Sequence, residues 1–171
     1  MKKCAIVVFF LLFACSTGFK IYRSNDQFNP DIEKYLTSKI ELRITSLTFS
    51  ISYATFEYVR NANLFYVLID YEANNWLFIE KLIFLVNSNR IEIIPCSEPI
   101  RDVFGTRIAE RVKFKINDDF INEIIKAQDS DIYVRIEGDQ YYTDRIIKNK
   151  DVKNIILFFN QMHLLSKNNK T

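Results

Sequence analysis

The sequence predicts an α+β fold, a mainly antiparallel β-sheet of hairpin-linked strands with two or three helices, preceded by a cleaved signal peptide. Three observations carry this reading. Apolar and polar residues alternate with a period of two around Leu47–Tyr53, Arg111–Ile116 and Ile132–Glu137. The breaks between the early strands are of hairpin length, whereas parallel crossovers take about a dozen residues or more. Two later stretches, one after Asn117 and one over Asp151–Leu165, repeat apolar residues at helical spacing. With 49% hydrophobic and 26% charged residues, the composition is that of a globular chain and neither disordered nor fibrous.

The chain opens MKKCAIVVFFLLFACSTGF. Ala5–Ala14 carries no charge, but a membrane-spanning helix needs about 20 apolar residues. Lys2 and Lys3, a short apolar run and small residues after it make a secretory signal peptide over residues 1–14. Leu12-Phe13-Ala14-Cys15 resembles the lipobox of bacterial lipoproteins, with Leu three residues before the cysteine and a small residue directly before it. Phe13 stands where that family usually has a small or β-branched residue, and in this relaxed form the motif is similar to those of spirochaete envelope lipoproteins. The resemblance implies lipidation of Cys15 on its thiol, cleavage before it and acylation of the new amino group. It also implies a bacterial cell-envelope address, lipid-anchored at an outer membrane on its periplasmic or surface face. Each buried methylene is worth about 0.8 kcal/mol, so two or three acyl chains hold stably where one is marginal. The competing reading is plain secretion with a cut after Gly18.

Loss of the leader changes the charge. Lys2 and Lys3 leave with a segment that contains no acid, so 21 basic residues then face 21 acidic ones. A neutral body lacks the overall basic balance that nucleic-acid binding usually brings. With Cys4 removed and Cys15 lipidated, Cys96 alone remains, so no internal disulfide is expected. Between Pro95 and Ser97 it reads as a small buried hydrophobe, with an intermolecular disulfide or a reactive thiol as the alternatives.

Residues 15–29 read as the lipidated cysteine and a tether, and 30–171 as one globular domain. Asn29-Pro30-Asp31 is a helix start, and Ile32, Tyr35 and Leu36 share a face, so a short helix is expected at about 30–38. Leu47, Phe49, Ile51 and Tyr53 then form the apolar face of a strand whose serines and Thr48 are wet. Leu42, Ile44, Phe56 and Tyr58 have the opposite parity, which predicts bulges near Ser46 and Ala54-Thr55. Leu64–Ile69 and Leu82–Val86 read as strands covered on both faces. Glu72–Asn75 and Asn87–Asn89 read as hairpin connections, and Ile91–Ile94 as a short strand ending at Pro95. Val112, Phe114 and Ile116 alternate with a basic row, Arg111, Lys113 and Lys115. That row either meets lipid headgroups or an acidic partner, or blunts an edge strand. Asn117-Asp118-Asp119 caps a helix carrying Phe120, Ile121, Ile124 and Ile125. Ile132, Val134 and Ile136 face inward on a strand that turns at Gly138-Asp139 and returns over Gln140–Arg145. A last amphipathic helix presents Val152, Ile155, Ile156, Phe159 and Met162.

Chemistry is sparse. His163 is the single histidine and reads as a surface or helix-end residue. Three glycines cannot build both a P-loop and a dinucleotide-binding loop. Asp129, Asp131, Glu137 and Asp139 lack the spacing of a calcium loop. The reading therefore expects no catalytic set, no metal, no cofactor and no nucleic-acid partner. Tyr133, Tyr141 and Tyr142 form a candidate binding patch around the Gly138 turn. The favoured expectation is a non-enzymatic cell-envelope lipoprotein that binds another envelope or host protein, or serves a structural role, while joined to the membrane through its covalent lipid. A small carrier of an apolar ligand is the alternative, and a secreted envelope enzyme the third.

Overall fold

A computed structural model describes residues 18–25, 32–45 and 50–167. The leader, Cys15, the Asn29-Pro30-Asp31 helix start and Leu47–Phe49 lie outside the described residues. The described part is mostly antiparallel β-sheet with two helices, an α+β arrangement. Its strands are β1 (Ile21–Asn25), β2 (Glu33–Thr37), β3 (Ile40–Glu41), β4 (Arg43–Ile44), β5 (Ile51–Val59) and β6 (Leu64–Ala73). They continue as β7 (Ile79–Val86), β8 (Asn89–Ile93), β9 (Ile100–Phe104) and β10 (Arg107–Ile116), then β11 (Ile132–Gly138) and β12 (Tyr142–Ile147). Helix α1 (Asp118–Lys126) lies between β10 and β11, and α2 (Asn149–Lys167) follows β12.

The strands form two sheets. The first runs β1-β2-β5-β6-β10-β9, with β3 also beside β5, and the second runs β4-β12-β11-β7-β8. Hairpins are dealt alternately between them: β5-β6 to the first, β7-β8 to the second, β9-β10 to the first, β11-β12 to the second. Each sheet is then closed by a non-local pair, β6 with β10 or β7 with β11. Glu72–Asn75 is therefore not a hairpin connection: β6 continues to Ala73, and Asn74–Phe78 carries the chain from one sheet to the other. Asn87 and Ser88 do form the expected tight turn, at φ 47° and 69°, values that suit the right-handed twist of a hairpin.

Three early expectations are corrected. Glu33–Thr37 is a strand, not a helix, paired with β1 on one side and β5 on the other. Two ladders of hydrogen bonds outweigh a local cap signal. Ile21–Asn25, expected as tether, is β1, so the fold begins before residue 30. Finally, β5 is inverted relative to its expected register. Ser50, Ser52, Ala54, Phe56 and Tyr58 are buried and Ile51 and Tyr53 only partly so, with no register break along the β5-β6 ladder.

Elsewhere alternation is simple. Phe65, Val67 and Ile69 of β6 point into the core while Tyr66 and Leu68 are half-buried, so this strand is not covered equally on both faces. Val112, Phe114 and Ile116 face inward as expected, as do Ile132, Val134 and Ile136. In β7 the inward set shifts from Ile79 to Leu82, Phe84 and Val86. Gly138 opposes Ile79 and Glu137 opposes Lys81, leaving Glu80 as an extra bulged residue.

One contiguous core joins sheets and helices. Asn117 caps α1, its side chain accepting the Phe120 N–H at 2.9 Å. Phe120 meets Phe84 of β7 edge-on at 4.8 Å. On α2, Phe159 meets Phe56 and Phe65 of the first sheet, each at 5.6 Å. Fully burying each such ring contributes about 1.5–3 kcal/mol.

The basic row does not line an edge. β10 lies between β6 and β9, and Arg111 and Lys113 bond Asp70 and the buried Glu57 on the outer face. Cys96 is exposed, not buried. Its N–H and thiol both donate to the Lys113 carbonyl, at 2.9 and 3.3 Å.

Candidate functional site

The outward face of the second sheet holds the first candidate. Alternation along β11 turns Tyr133, Arg135 and Glu137 outward. Register then sets Tyr133 between Leu85 and Ile146, Arg135 between Ile83 and Asp144, and Glu137 between Lys81 and Tyr142. These rows frame a groove of about 500 Å³ with Ile83, Leu85 and Tyr133 as its apolar part. Arg135 crosses it, binding Asp144 through two hydrogen bonds of 2.7 and 3.0 Å. The same guanidinium stacks 3.9 Å from the Tyr142 ring centre. Lys81 pairs with Glu137 at 2.9 Å. The hydrogen bond that Arg135 donates to Asp144 raises its pKa, and the one that Lys81 donates to Glu137 raises the lysine, so both groups stay firmly cationic.

The three candidate tyrosines are all exposed, Tyr133 at 51%, Tyr141 at 68% and Tyr142 at 59%, but they do not form one patch. Tyr133 and Tyr142 share the outward face, one strand apart and at opposite ends of the ladder. Tyr141 lies at the tip of the turn, and it and Tyr142 are both among the walls of a second hollow.

That second hollow, of about 600 Å³, lies at the Asn74–Phe78 crossover between the sheets. Ser50, Tyr71, Trp76, Tyr141 and Thr143 are among its walls. Glu110, buried on β10, shapes it from behind by accepting the N–H groups of Leu77, Phe78 and Ile79 at 2.7, 2.9 and 3.2 Å. Phe78 sits at φ 54°, a conformation unusual for a bulky residue. Three successive amides converging on one carboxylate hold that turn in place. Gly138 packs against that turn: a Cβ there would lie 1.8 Å from the Leu77 carbonyl oxygen.

Beside this hollow is a fully buried arginine, Arg145, which the sequence marks only as the end of a strand. Arg145 lies between the sheets and donates to Ser50 Oγ at 2.5 Å, Ser52 Oγ at 3.3 Å and the Asp144 carbonyl at 3.1 Å. Burial lowers its pKa, countered by Tyr71 and Asp144. A signal for it existed. Arg145 opposes Val134 in the hairpin, and directly opposed residues share a face. Once Val134 is inward, Arg145 is inward too.

Asp129 and Asp131 are engaged by partners. Asp131 receives Lys148 at 2.9 Å and the Asn149 N–H at 2.8 Å, which cap α2 and hold its carboxyl below the usual range. Asp129 pairs with Lys153 at 3.2 Å. Asp151 is raised by burial and by Glu41, against the pull of Arg43 and Lys150. Among the described residues no group of His, Cys, Asp and Glu is arranged to hold a metal ion. His163 packs half-buried against Phe65 at 5.4 Å. Among the described residues no helix is long and apolar enough to cross a membrane. No family model matches the chain, and neither a curated protein nor a solved structure matches it.

Proposed function

We propose that this chain is a lipid-anchored protein of the bacterial cell envelope that acts by binding a partner protein, without catalysis, through the outward face of its second sheet. The anchor rests on Leu12-Phe13-Ala14-Cys15, which places an acylatable cysteine at the start of the exported chain. The binding role rests on one observation above all: Tyr133 and Leu85 stand exposed side by side over a groove crossed by the Arg135–Asp144 pair. Exposed aromatic and aliphatic side chains with an arginine beside them are what interface centres use, while paired charges set orientation. A carrier of an apolar ligand is less well supported, because both hollows described above open on solvent and have polar groups in their walls.

Two experiments test the two halves. Cells fed radiolabelled fatty acid label the wild-type chain, and Cys15→Ala abolishes the label and moves the protein from the detergent phase to the aqueous phase. Unchanged labelling removes the anchor. Cross-linking of the acylated chain in its own envelope yields a defined partner, and Leu85→Glu with Tyr133→Ala abolishes that adduct without altering circular dichroism. An adduct that survives both substitutions removes this face as the binding surface.

A further inference from the structure

We propose that the hollow between the sheets binds a small organic monocarboxylate, its carboxylate held by the hydroxyls of Thr143 and Tyr71 and its body by the rings of Trp76 and Tyr141. This site is distinct from the outward face of the second sheet.

The argument begins with charge. Arg145 is fully buried, and its recorded acceptors are all neutral: two serine hydroxyls and a backbone carbonyl. The neighbouring Asp144 carboxylate is engaged by Arg135 on the opposite face of the sheet. Among the described residues, no carboxylate pairs with Arg145. A guanidinium stays protonated even when buried, and a buried charge is costly unless an opposite charge is brought near.

The Arg145–Ser50 contact brings that charge to the wall of the hollow. Arg145 Nη2 donates to Ser50 Oγ. Ser50 and Tyr71 both line the hollow, and the Arg145 guanidinium is a positive charge near enough to act on the Tyr71 phenol. The Tyr71 hydroxyl can donate to an acceptor in the hollow, where the guanidinium favours a negative charge. Thr143 gives an independent pointer. Its Oγ1 is buried without a hydrogen-bond partner, and the residue lines the same hollow. Buried hydroxyls without partners are uncommon, and each calls for an explanation. An acceptor in the hollow answers the orphaned Thr143 hydroxyl, with the Tyr71 phenol on the same wall as a second donor.

The walls select the rest of the ligand. Among the described residues no acidic side chain lines the hollow, while Trp76, stacked 6.0 Å from Phe78, and the exposed Tyr141 supply flat apolar surface. One guanidinium balances one negative charge. Burial raises the Tyr71 pKa and the nearby Glu110 carboxylate adds to it; that second negative charge disfavours a dianion such as phosphate.

Trp76 is the single tryptophan of the chain, so its fluorescence reports this hollow alone. The full chain in detergent is titrated with cyclohexanecarboxylate, with its uncharged twin cyclohexanecarboxamide, and with inorganic phosphate. The carboxylate gives a saturable change, and the amide binds at least about tenfold more weakly. Phosphate neither shifts the spectrum nor competes. Thr143→Val and Tyr71→Phe each weaken carboxylate binding about fivefold or more and reduce its advantage over the amide. Near-ultraviolet circular dichroism of both variants stays that of wild type. Absence of a saturable change up to about 20 mM carboxylate overturns the proposal. So does equal binding of the amide or phosphate, or unchanged affinity in a folded Thr143→Val. If one variant fails to fold, the other and the carboxylate–amide comparison on wild type still decide.

Discussion

The Glu110 carboxylate accepts the amide hydrogen of Phe78 at 2.9 Å, and Phe78 is held at φ 54°. The same carboxylate takes the amides on either side, so one side chain of the first sheet organises the whole crossover to the second. Glu110→Gln keeps the size but replaces one acceptor oxygen with a donor facing an amide. Hydrogen bonds to charged groups are worth about 1.5–3 kcal/mol, and the expected loss is about 2 kcal/mol in urea melts. A loss under about 0.5 kcal/mol would show that the crossover holds its shape without the carboxylate.

Gly138 has a steric role that a turn residue would not have. Any Cβ there meets the Leu77 backbone, at 1.8 Å from its oxygen and 2.7 Å from its carbonyl carbon. Gly138→Ala is therefore expected to cost about 3 kcal/mol, since backbone must shift. Gly138→Asn, a good turn former, should be no better tolerated. Gly105 is the control, because its φ is +62° but its surroundings are open. Gly105→Ala should cost only about 1–2 kcal/mol. Equal melts for the Gly138 and Gly105 variants would refute the steric account.

Phe159 belongs energetically to the first sheet. Its ring lies edge-on to Phe56 and close to perpendicular to Phe65. Phe159→Ala is expected to cost about 3–5 kcal/mol, a large part of a total near 5–15. The milder Phe159→Leu and Phe56→Leu suit a double-mutant cycle, with a coupling of about 0.5–1.5 kcal/mol. A coupling indistinguishable from zero would mean that the rings do not pack as described.

Lys113 is more than a wet residue on an outer face. Its ammonium lies 2.8 Å from the buried Glu57 and 4.0 Å from the Tyr66 ring centre. Removing it leaves a buried carboxylate without this partner. Lys113→Ala should cost about 1–3 kcal/mol, beyond the about 0.5 kcal/mol or less of an ordinary surface change. Urea melts of wild type and variant decide between these values.

Asp70 predicts part of the acid limb of stability. Burial alone would raise its carboxyl, but hydrogen bonds from Arg111 and Lys39 outweigh burial and hold it below its usual range. A carboxyl lowered in the folded state stabilises fully above its unfolded pKa, near 3.9. That contribution disappears as pH falls through the lower folded value. Both cationic partners are about half exposed, so the contribution is about 1 kcal/mol after solvent screening. Wild type should exceed Asp70→Asn by about that much at neutral pH, and the gap should close on acidification below about pH 4. A gap that widens in acid would reverse the assignment.

The sequence by itself determined what local periodicity and local chemistry control. The Asn117 cap, the Asn87-Ser88 turn, the inward row of Ile132, Val134 and Ile136, and the apolar face of α2 could all be read within about ten residues of chain. The Leu12–Cys15 motif carried the proposal of an anchor on the same local footing. Only the tertiary structure decided which hairpin joined which sheet, because pairing of β6 with β10 and of β7 with β11 is made between segments far apart in sequence. It decided β5 as well. Period two says that Ser50 and Ser52 share a face opposite Ile51 and Tyr53, but not which face is buried, and a shift of one residue exchanges them. The choice fell to the serines because Arg145, from the other sheet, needed their oxygens in the core. Over Glu33–Thr37 the expected helix lost to strand pairing for the same reason. Ladders and buried polar partners are non-local and outweigh propensities of about 1 kcal/mol or less per residue.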